Sequence, residues 1–149
     1  MLDLINHILL QDSNVTTAVT VAASSPVRYR MGPFFRVPTD GFPAVYFEQT
    51  GSRTRDVHAV GVVEGNGVDI YDVNIVVLDP NLGTAWALHE RVKTALRSFN
   101  SVANVVLGSN TYEVLECRFQ EVRSDAIEDG EICVVEALFE CSIRHSFTP

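Results

Sequence analysis

Two stretches of the chain carry apolar residues at the three- and four-residue spacing of an amphipathic helix. The first covers residues 2–11 and ends at the polar run Asp12-Ser13-Asn14. The second opens after Asp79-Pro80-Asn81, where a capping side chain and a proline near the first turn favour helix initiation. It runs to about Phe99, and its apolar stripe consists of Ala85, Leu88, Val92, Ala95, Leu96 and Phe99.

Alternating apolar and polar residues predict five strands, because successive side chains of a strand point to opposite faces. These strands cover residues 27–30, 44–49, 68–78, 112–122 and 132–145. The last two form an antiparallel hairpin around an acidic turn at residues 124–130. On the apolar face of that hairpin the alternation places Leu115, Cys117 and Phe119 together.

The order of the elements is helix, strands, helix and hairpin. It predicts an α+β fold in which two helices pack on one face of a single antiparallel or mixed β-sheet. At 149 residues and 16.4 kDa the chain has the size of one domain, which we assign to residues 1–149.

Two segments between the strands have the composition of loops and point to contacts with other molecules. Residues 32–43 are rich in glycine and proline but also hold Phe34, Phe35 and Phe42, and exposed aromatic residues are typical of interfaces. Residues 51–67 are long, polar and glycine-containing, and they carry Arg53 and Arg55. We interpret this second segment as a mobile arm or a protruding hairpin.

The formal net charge of −8 and the pI of about 4.8 disfavour general nucleic-acid binding, which usually requires a basic surface. The sequence has no apolar run long enough to span a bilayer, so no membrane partner is expected. Met1 is followed by Leu2 and Asp3 without a basic and then apolar leader pattern, which predicts synthesis in the cytosol.

Motifs that would identify an enzyme are missing from the sequence. There is no G-x-S-x-G, no P-loop and no H-E-x-x-H, and Gly65-Asn66-Gly67 is better explained as a turn than as part of a dinucleotide site. His89 is interpreted as a helix-surface or hydrogen-bonded histidine, and the three cysteines as small buried residues. We therefore predict no catalytic, cofactor-binding or metal-binding residues and no cofactor.

Charge is distributed unevenly along the chain. Residues 27–58 hold five arginines against three carboxylates, whereas residues 111–140 hold nine carboxylates against two arginines. A basic patch on one side and an acidic patch on the other favour head-to-tail association, in which a closing rotation produces a ring. The alternative is that both charged patches are ordinary solvated surfaces without a binding role.

The whole chain resembles the tail completion, or tail terminator, family of long-tailed bacteriophages and gene transfer particles. The resemblance follows the order of the elements: a first helix ending in Leu10-Gln11-Asp12, then Val27-Arg28-Tyr29, and a proline-led strand at residues 43–49. A strand at residues 73–77, a helix at residues 85–96 and a closing hairpin complete it. The chain departs from the family pattern in its longer phenylalanine-rich loop and its acidic turn.

The resemblance implies a structural virion protein at the head-proximal end of the tail, assembled in the host cytoplasm. It implies a homohexameric ring that caps the tail tube protein, stops tube polymerisation and offers a surface to a neck or head completion protein. DNA would pass through the ring without specific binding, along an acidic lumen. Candidate interface residues are Phe34, Phe35, Phe42, Arg53 and Arg55; candidate lumen residues are Glu113, Glu116, Asp125, Glu128 and Asp129.

Two other functions remain open from the sequence. A neck or head–tail joining protein would also associate into a ring. Its loss would give tails of normal length that stay separate from filled heads. A small cytosolic enzyme of unknown type would instead need a ligand-sized pocket with converging ionisable groups.

Overall fold

A computed structural model of the protein describes residues 1–22, 24–55, 68–100 and 102–145. In these residues three helices pack with one six-stranded sheet. The elements in chain order are α1 (Leu2–Gln11), α2 (Ser13–Val19), β1 (Met31–Pro33), β2 (Ala44–Arg55), β3 (Val68–Asp79), α3 (Leu82–Ser98), β4 (Val102–Leu107), β5 (Asn110–Ile127) and β6 (Ile132–His145). A short 3₁₀ turn, Glu128–Gly130, joins β5 to β6.

The strands lie in the order β1-β2-β3-β6-β5-β4. The short β1 runs parallel to β2, and every other neighbouring pair is antiparallel, so the sheet is mixed. This confirms the predicted α+β class with helices on one face of a single sheet. The helical layer holds three helices, one more than predicted.

The main core lies between the helical layer and one face of the sheet. Alternate residues of the central strands supply that face, as the two-residue period predicts. The largest fully buried side chains there include Phe47, Phe139, Ile75 and Leu96. The strict alternation of β6 puts Val135, Ala137, Phe139, Cys141 and Ile143 into this core. Cys133 was expected on the same face as a buried residue, but it lies at the end of the strand and is only half-buried, so that part of the prediction is wrong.

Asp12 both ends the first helix and begins the second. Its carboxylate accepts hydrogen bonds from the backbone N–H groups of Asn14 at 2.9 Å and Val15 at 3.1 Å, an N-cap geometry. The weakly apolar stretch that follows is helical over Ser13–Val19 and buries Val15 and Val19. The end of α1 agrees with the prediction, whereas α2 was not predicted, because two buried residues are too few to show a helical period.

Replacing the cap, Asp12→Ala, is expected to lower the free energy of unfolding by about 1 kcal/mol. The change leaves two N–H groups at the start of α2 without their side-chain acceptor. Asp12→Asn is the matched control, since an asparagine oxygen can still accept these bonds. Denaturant unfolding of both variants measures the difference, and equal losses in the two variants would contradict a capping role.

The predicted strand at residues 27–30 is wrong in position. The paired strand is Met31–Pro33, whereas Tyr29 makes only an isolated bridge to Thr20. The alternation still has a physical basis, because the Val21 N–H donates to the Arg28 carbonyl and the Arg30 N–H donates to the Val19 carbonyl. These bonds hold the segment against the end of α2, outside the sheet.

Two bulges in β5 change which side chains face the core. The register with β6 skips one residue between Val114 and Glu116 and another between Phe119 and Glu121. Each bulge inserts one residue and reverses the alternation beyond it. Val114 and Cys117 are therefore buried while Leu115 is not, so the predicted grouping of Leu115 with Cys117 and Phe119 is wrong.

Other differences lie at the ends of β5. The strand continues to Ile127, so the connection to β6 is shorter than the acidic turn predicted at residues 124–130. β4 was not predicted at all. Beyond Arg55, residues 56–67 lie outside the described part of the chain, and with them most of the segment interpreted as an arm or hairpin. Residues 51–55 of that segment belong to β2 and pair with β3.

Candidate assembly surfaces

The face of the sheet opposite the helices, here called the open face, is covered with paired charges. Every second residue of β2, β3, β6 and β5 points to it. Arg53 binds the Asp72 carboxylate at 3.2 Å and also contacts Glu140. Farther along, Glu136 accepts from Arg123 at 2.6 Å and from the Asn74 amide at 2.5 Å.

Carboxylates outnumber arginines on the described part of the open face. The arginines are Arg53, Arg118, Arg123 and Arg144, together with Arg36 over the Tyr46 ring. The carboxylates are Glu48, Asp72, Glu113, Glu116, Glu121, Asp125, Glu136 and Glu140. Hydrogen bonds from Arg123 and then from Asn74 lower the pKa of Glu136, although burial opposes the shift. Glu136 therefore stays ionised at neutral pH within this network.

The candidate lumen residues divide into two groups. Glu113, Glu116 and Asp125 lie on β5 and face the open side, where Glu113 binds Arg144 at 2.9 Å and Glu116 lies 3.4 Å from Arg118. Glu128 and Asp129 lie instead in the turn at one end of the sheet, with left-handed φ values of 52° and 56°. Both turn side chains are exposed.

The candidate interface residues also separate in the structure. Phe34 is 67% exposed and Phe35 47% exposed, and the Phe35 ring meets the Tyr46 ring edge-on at 6.3 Å. Phe42 is half-buried against a second, smaller apolar cluster on the open face, formed by Ala44, Tyr46, Val76, Leu78, Ile132 and Val134. Arg53 lies within the ion-pair network. Arg55 ends β2 and pairs with Val68 through the backbone.

The two outer strands of the sheet leave long edges without a strand partner in the described residues. β1 pairs only with residues 45–47 of β2, and β4 covers β5 only over residues 110–114. Residues 48–55 of β2 and residues 118–127 of β5 therefore lie at edges on opposite sides of the sheet. On the β5 side, the Cys117 N–H already donates to Asn100 Oδ1 at 2.7 Å and the Ala126 N–H to Asp125 Oδ1 at 2.8 Å. Such edges are templates for pairing with another strand. The sequence pattern does not reveal these edges, because the pairing of distant segments decides which parts of a strand have a neighbour.

His89 is buried in α3, which overturns its interpretation as a helix-surface or satisfied histidine. Its side chain is 1% exposed, and its Nε2 has no hydrogen-bond partner among the residues that the structure describes. The imidazole packs against Trp86 and Phe119, with ring centroids 5.5 and 6.1 Å away. Burial lowers the pKa of His89 from its ordinary value; the Lys93 charge acts in the same direction, and the Glu90 carboxylate opposes both.

The pKa of His89 predicts a loss of stability in acid. Below pH 6.5 the unfolded chain protonates this histidine while the folded chain resists, so the free energy of unfolding falls with pH until the folded-state pKa is reached. The slope from one such group is at most about 1.4 kcal/mol per pH unit. His89→Phe is expected to remove this component.

Denaturant unfolding between pH 8 and the acid limit measures this effect as the difference between wild type and His89→Phe. The subtraction removes carboxylate titration, such as that of Glu136, because both proteins share it. A difference that stays constant with pH would show that the buried imidazole does not control the acid response.

Several other functional features are missing from the described residues. They contain no group of three His, Cys, Asp or Glu side chains placed to hold a metal ion. None of the helices in the described ranges is long and apolar enough to cross a membrane.

Cys117 and Cys141 lie opposite each other on β5 and β6 as buried free thiols, a pairing that sequence spacing did not reveal.

The fold has solved counterparts. A chain from the "virion of native gene transfer agent (GTA) particle" superposes with a TM-score of 0.57 over 94% of this chain and 91% of that chain. The two sequences are 14% identical. This likeness establishes the fold. No protein-family model and no curated protein sequence matches the chain.

Proposed function

We propose that this protein is a structural virion component: a tail terminator that forms a ring on the end of the tail tube. Its likeness to a chain of a gene transfer agent virion supports a place in a particle of that kind. The observation that carries the ring is the pair of sheet edges that no described strand covers. β1 covers β2 at one end of the sheet, and β4 covers β5 at the other end. The free edge of one molecule can therefore lie beside the free edge of the next.

The strand directions allow copies in one orientation to join. β2 and β5 are three strands apart in an alternating antiparallel series, so they run in opposite directions. When β5 of one copy lies beside β2 of the next, the new pair is therefore antiparallel. Repeating the same contact is a heterologous association, which closes into a ring when the rotation fits. The number of six subunits comes from the family resemblance.

A continuous sheet of this kind has two surfaces, and we assign the open face to the lumen. Its surplus of carboxylates, including Glu113, Glu116 and Asp125, would discourage DNA from adhering, because neutralisation of phosphates by basic side chains is what retains DNA. The helical layer then lies outside. DNA passes through this ring without base-specific contacts.

The exposed phenylalanines suit the contact with the neighbouring virion proteins. Phe34 is exposed directly after β1, and Phe35 lies against Tyr46 at the border of the open face, so both are next to the proposed junction between copies. A ring that joins a tail tube protein to a neck or head completion protein needs such surfaces and no chemistry. The protein would act by shape and charge alone.

The deciding experiment is electron microscopy of particles assembled without this protein. A terminator is required to stop tube growth, so its loss is expected to give tails of excessive and variable length without heads. Restoring the gene should restore uniform tails. Tails of normal length beside separate filled heads would contradict the terminator assignment and indicate a neck protein.

A further inference from the structure

A groove of about 630 Å³ opens at the β1 edge of the sheet, where α1 meets the segments before and after β1. Its walls combine apolar and basic side chains. Leu10, Val27 and Val37 line it and are each substantially exposed. Arg28, Arg30 and Arg36 line it as well, with Asp40 as the one carboxylate among its described lining residues.

The three arginines differ in their availability. Arg30 is held by the fold, because its guanidinium donates to the Pro43 carbonyl at 2.8 Å and to the Phe42 carbonyl at 3.3 Å. Arg36 is exposed and lies over the Tyr46 ring at 5.7 Å. Arg28 is exposed, and its side chain has no hydrogen-bond or ion-pair partner within the described ranges. Arg28 and Arg36 can therefore bind an incoming anion.

We propose that this groove receives the acidic turn of a second copy of the chain, formed by Glu128, Asp129 and Glu131. This inference rests on the proposed ring and specifies its contact. The turn is exposed and purely acidic in its charged residues, so it complements the groove in sign. Arginine and tyrosine beside apolar side chains is the composition typical of interface hot spots.

The offset of the sheet edges brings the two surfaces together. The free edge of β2 begins at residue 48, immediately after the part covered by β1. The free edge of β5 ends at Ile127, directly before the turn. Antiparallel pairing of these edges brings Ile127 of one copy toward the start of the free β2 edge in the next. The turn then meets β1 and the groove beside it.

Two charge-reversed variants test this contact. The groove variant carries Arg28→Glu and Arg36→Glu, and it leaves the structural Arg30 in place. The turn variant carries Glu128→Lys and Glu131→Lys, both at exposed positions. A third variant, Arg91→Glu with Arg97→Glu, makes the same change in net charge as the groove variant, but on the exposed surface of α3, and serves as its control. Thermal unfolding first verifies that every variant folds.

Assembly is then followed by analytical ultracentrifugation over a concentration series up to the solubility limit. Each reversed variant alone is expected to self-associate at least about tenfold more weakly than wild type, because each contact opposes like charges. An equimolar mixture of the groove and turn variants is expected to assemble as well as wild type. In an alternating ring every groove then faces a turn of opposite charge.

The outcomes separate this inference from the ring itself. If wild type forms rings but the reversed variants do so equally well, or if their mixture fails to recover assembly, the groove contact is overturned while the ring stands. If the α3 control loses assembly as strongly as the groove variant, net charge explains the effect and the contact is again overturned. If wild type stays monomeric throughout the series, both the ring and the contact fail.

Discussion

Replacing Phe34 and Phe35 together with glutamate is expected to abolish joining to the particle while leaving the monomer folded. Both rings are largely exposed in the isolated chain, so the folded state loses little packing. Phe35 contributes one edge-on contact with Tyr46, worth about 0.5–1.5 kcal/mol. At a contact surface, by contrast, two carboxylates would be desolvated without partners, which costs several kcal/mol.

Phe42 supplies the matched control because it belongs to the same loop but packs differently. Its half-buried ring lies against the small cluster on the open face, so Phe42→Glu is expected to lower the free energy of unfolding. Denaturant unfolding measures the fold, and complementation of particles lacking the protein measures joining. If the Phe34/Phe35 variant unfolds as readily as the Phe42 variant, the exposed pair is part of the core and not an interface.

Truncating Phe139 to alanine is expected to give the largest loss of stability, about 3–5 kcal/mol. The ring is fully buried at the centre of the sheet, between Val73 of β3 and Phe119 of β5 in the register. It meets the Phe119 ring edge-on at 5.7 Å, a pair that adds to the area it buries. Alanine would leave a cavity that the surrounding strands cannot close without breaking their pairing.

Leu138→Ala tests whether the loss of stability depends on the face of the sheet to which a side chain points or only on its place in β6. Leu138 precedes Phe139 on β6 but points to the open face, where it is half-exposed. Its truncation is expected to cost less than about 1.5 kcal/mol. Urea unfolding of the two variants makes the comparison, and similar losses would contradict the placement of the main core on the helical side of the sheet.

Sequence patterns succeeded where structure depends on near neighbours. The start of α3 was predictable because Asn81 caps it locally, accepting from the Thr84 N–H at 3.0 Å. The alternation of β6 was predictable because no bulge interrupts its pairing with β3. In β5 the same reasoning failed at Leu115, since a bulge depends on the partner strand and has no signature in the residues themselves.

The candidate surfaces divide in the same way. The acidity of residues 111–140 was visible in the composition, and the open face indeed carries Glu113, Glu116 and Asp125. The arginine groove was not visible, because it joins α1 to residues on both sides of β1. The prediction of a helix-surface or satisfied His89 was wrong because its burial depends on a distant segment. The α3 pattern could not show that Phe119 of β5 packs with Trp86 around the His89 ring.

By itself the sequence determined the α+β class, the two amphipathic helices, and the opposite signs of the net charge in residues 27–58 and 111–140. These properties follow from periodicity and composition, which are local quantities. The tertiary structure alone decided the strand order, the edges of β2 and β5 that no strand of the described ranges covers, and the positions of the basic and acidic surfaces. Those features arise when segments distant in the chain pair, and pairing determines which backbone groups and side chains remain available to a neighbour.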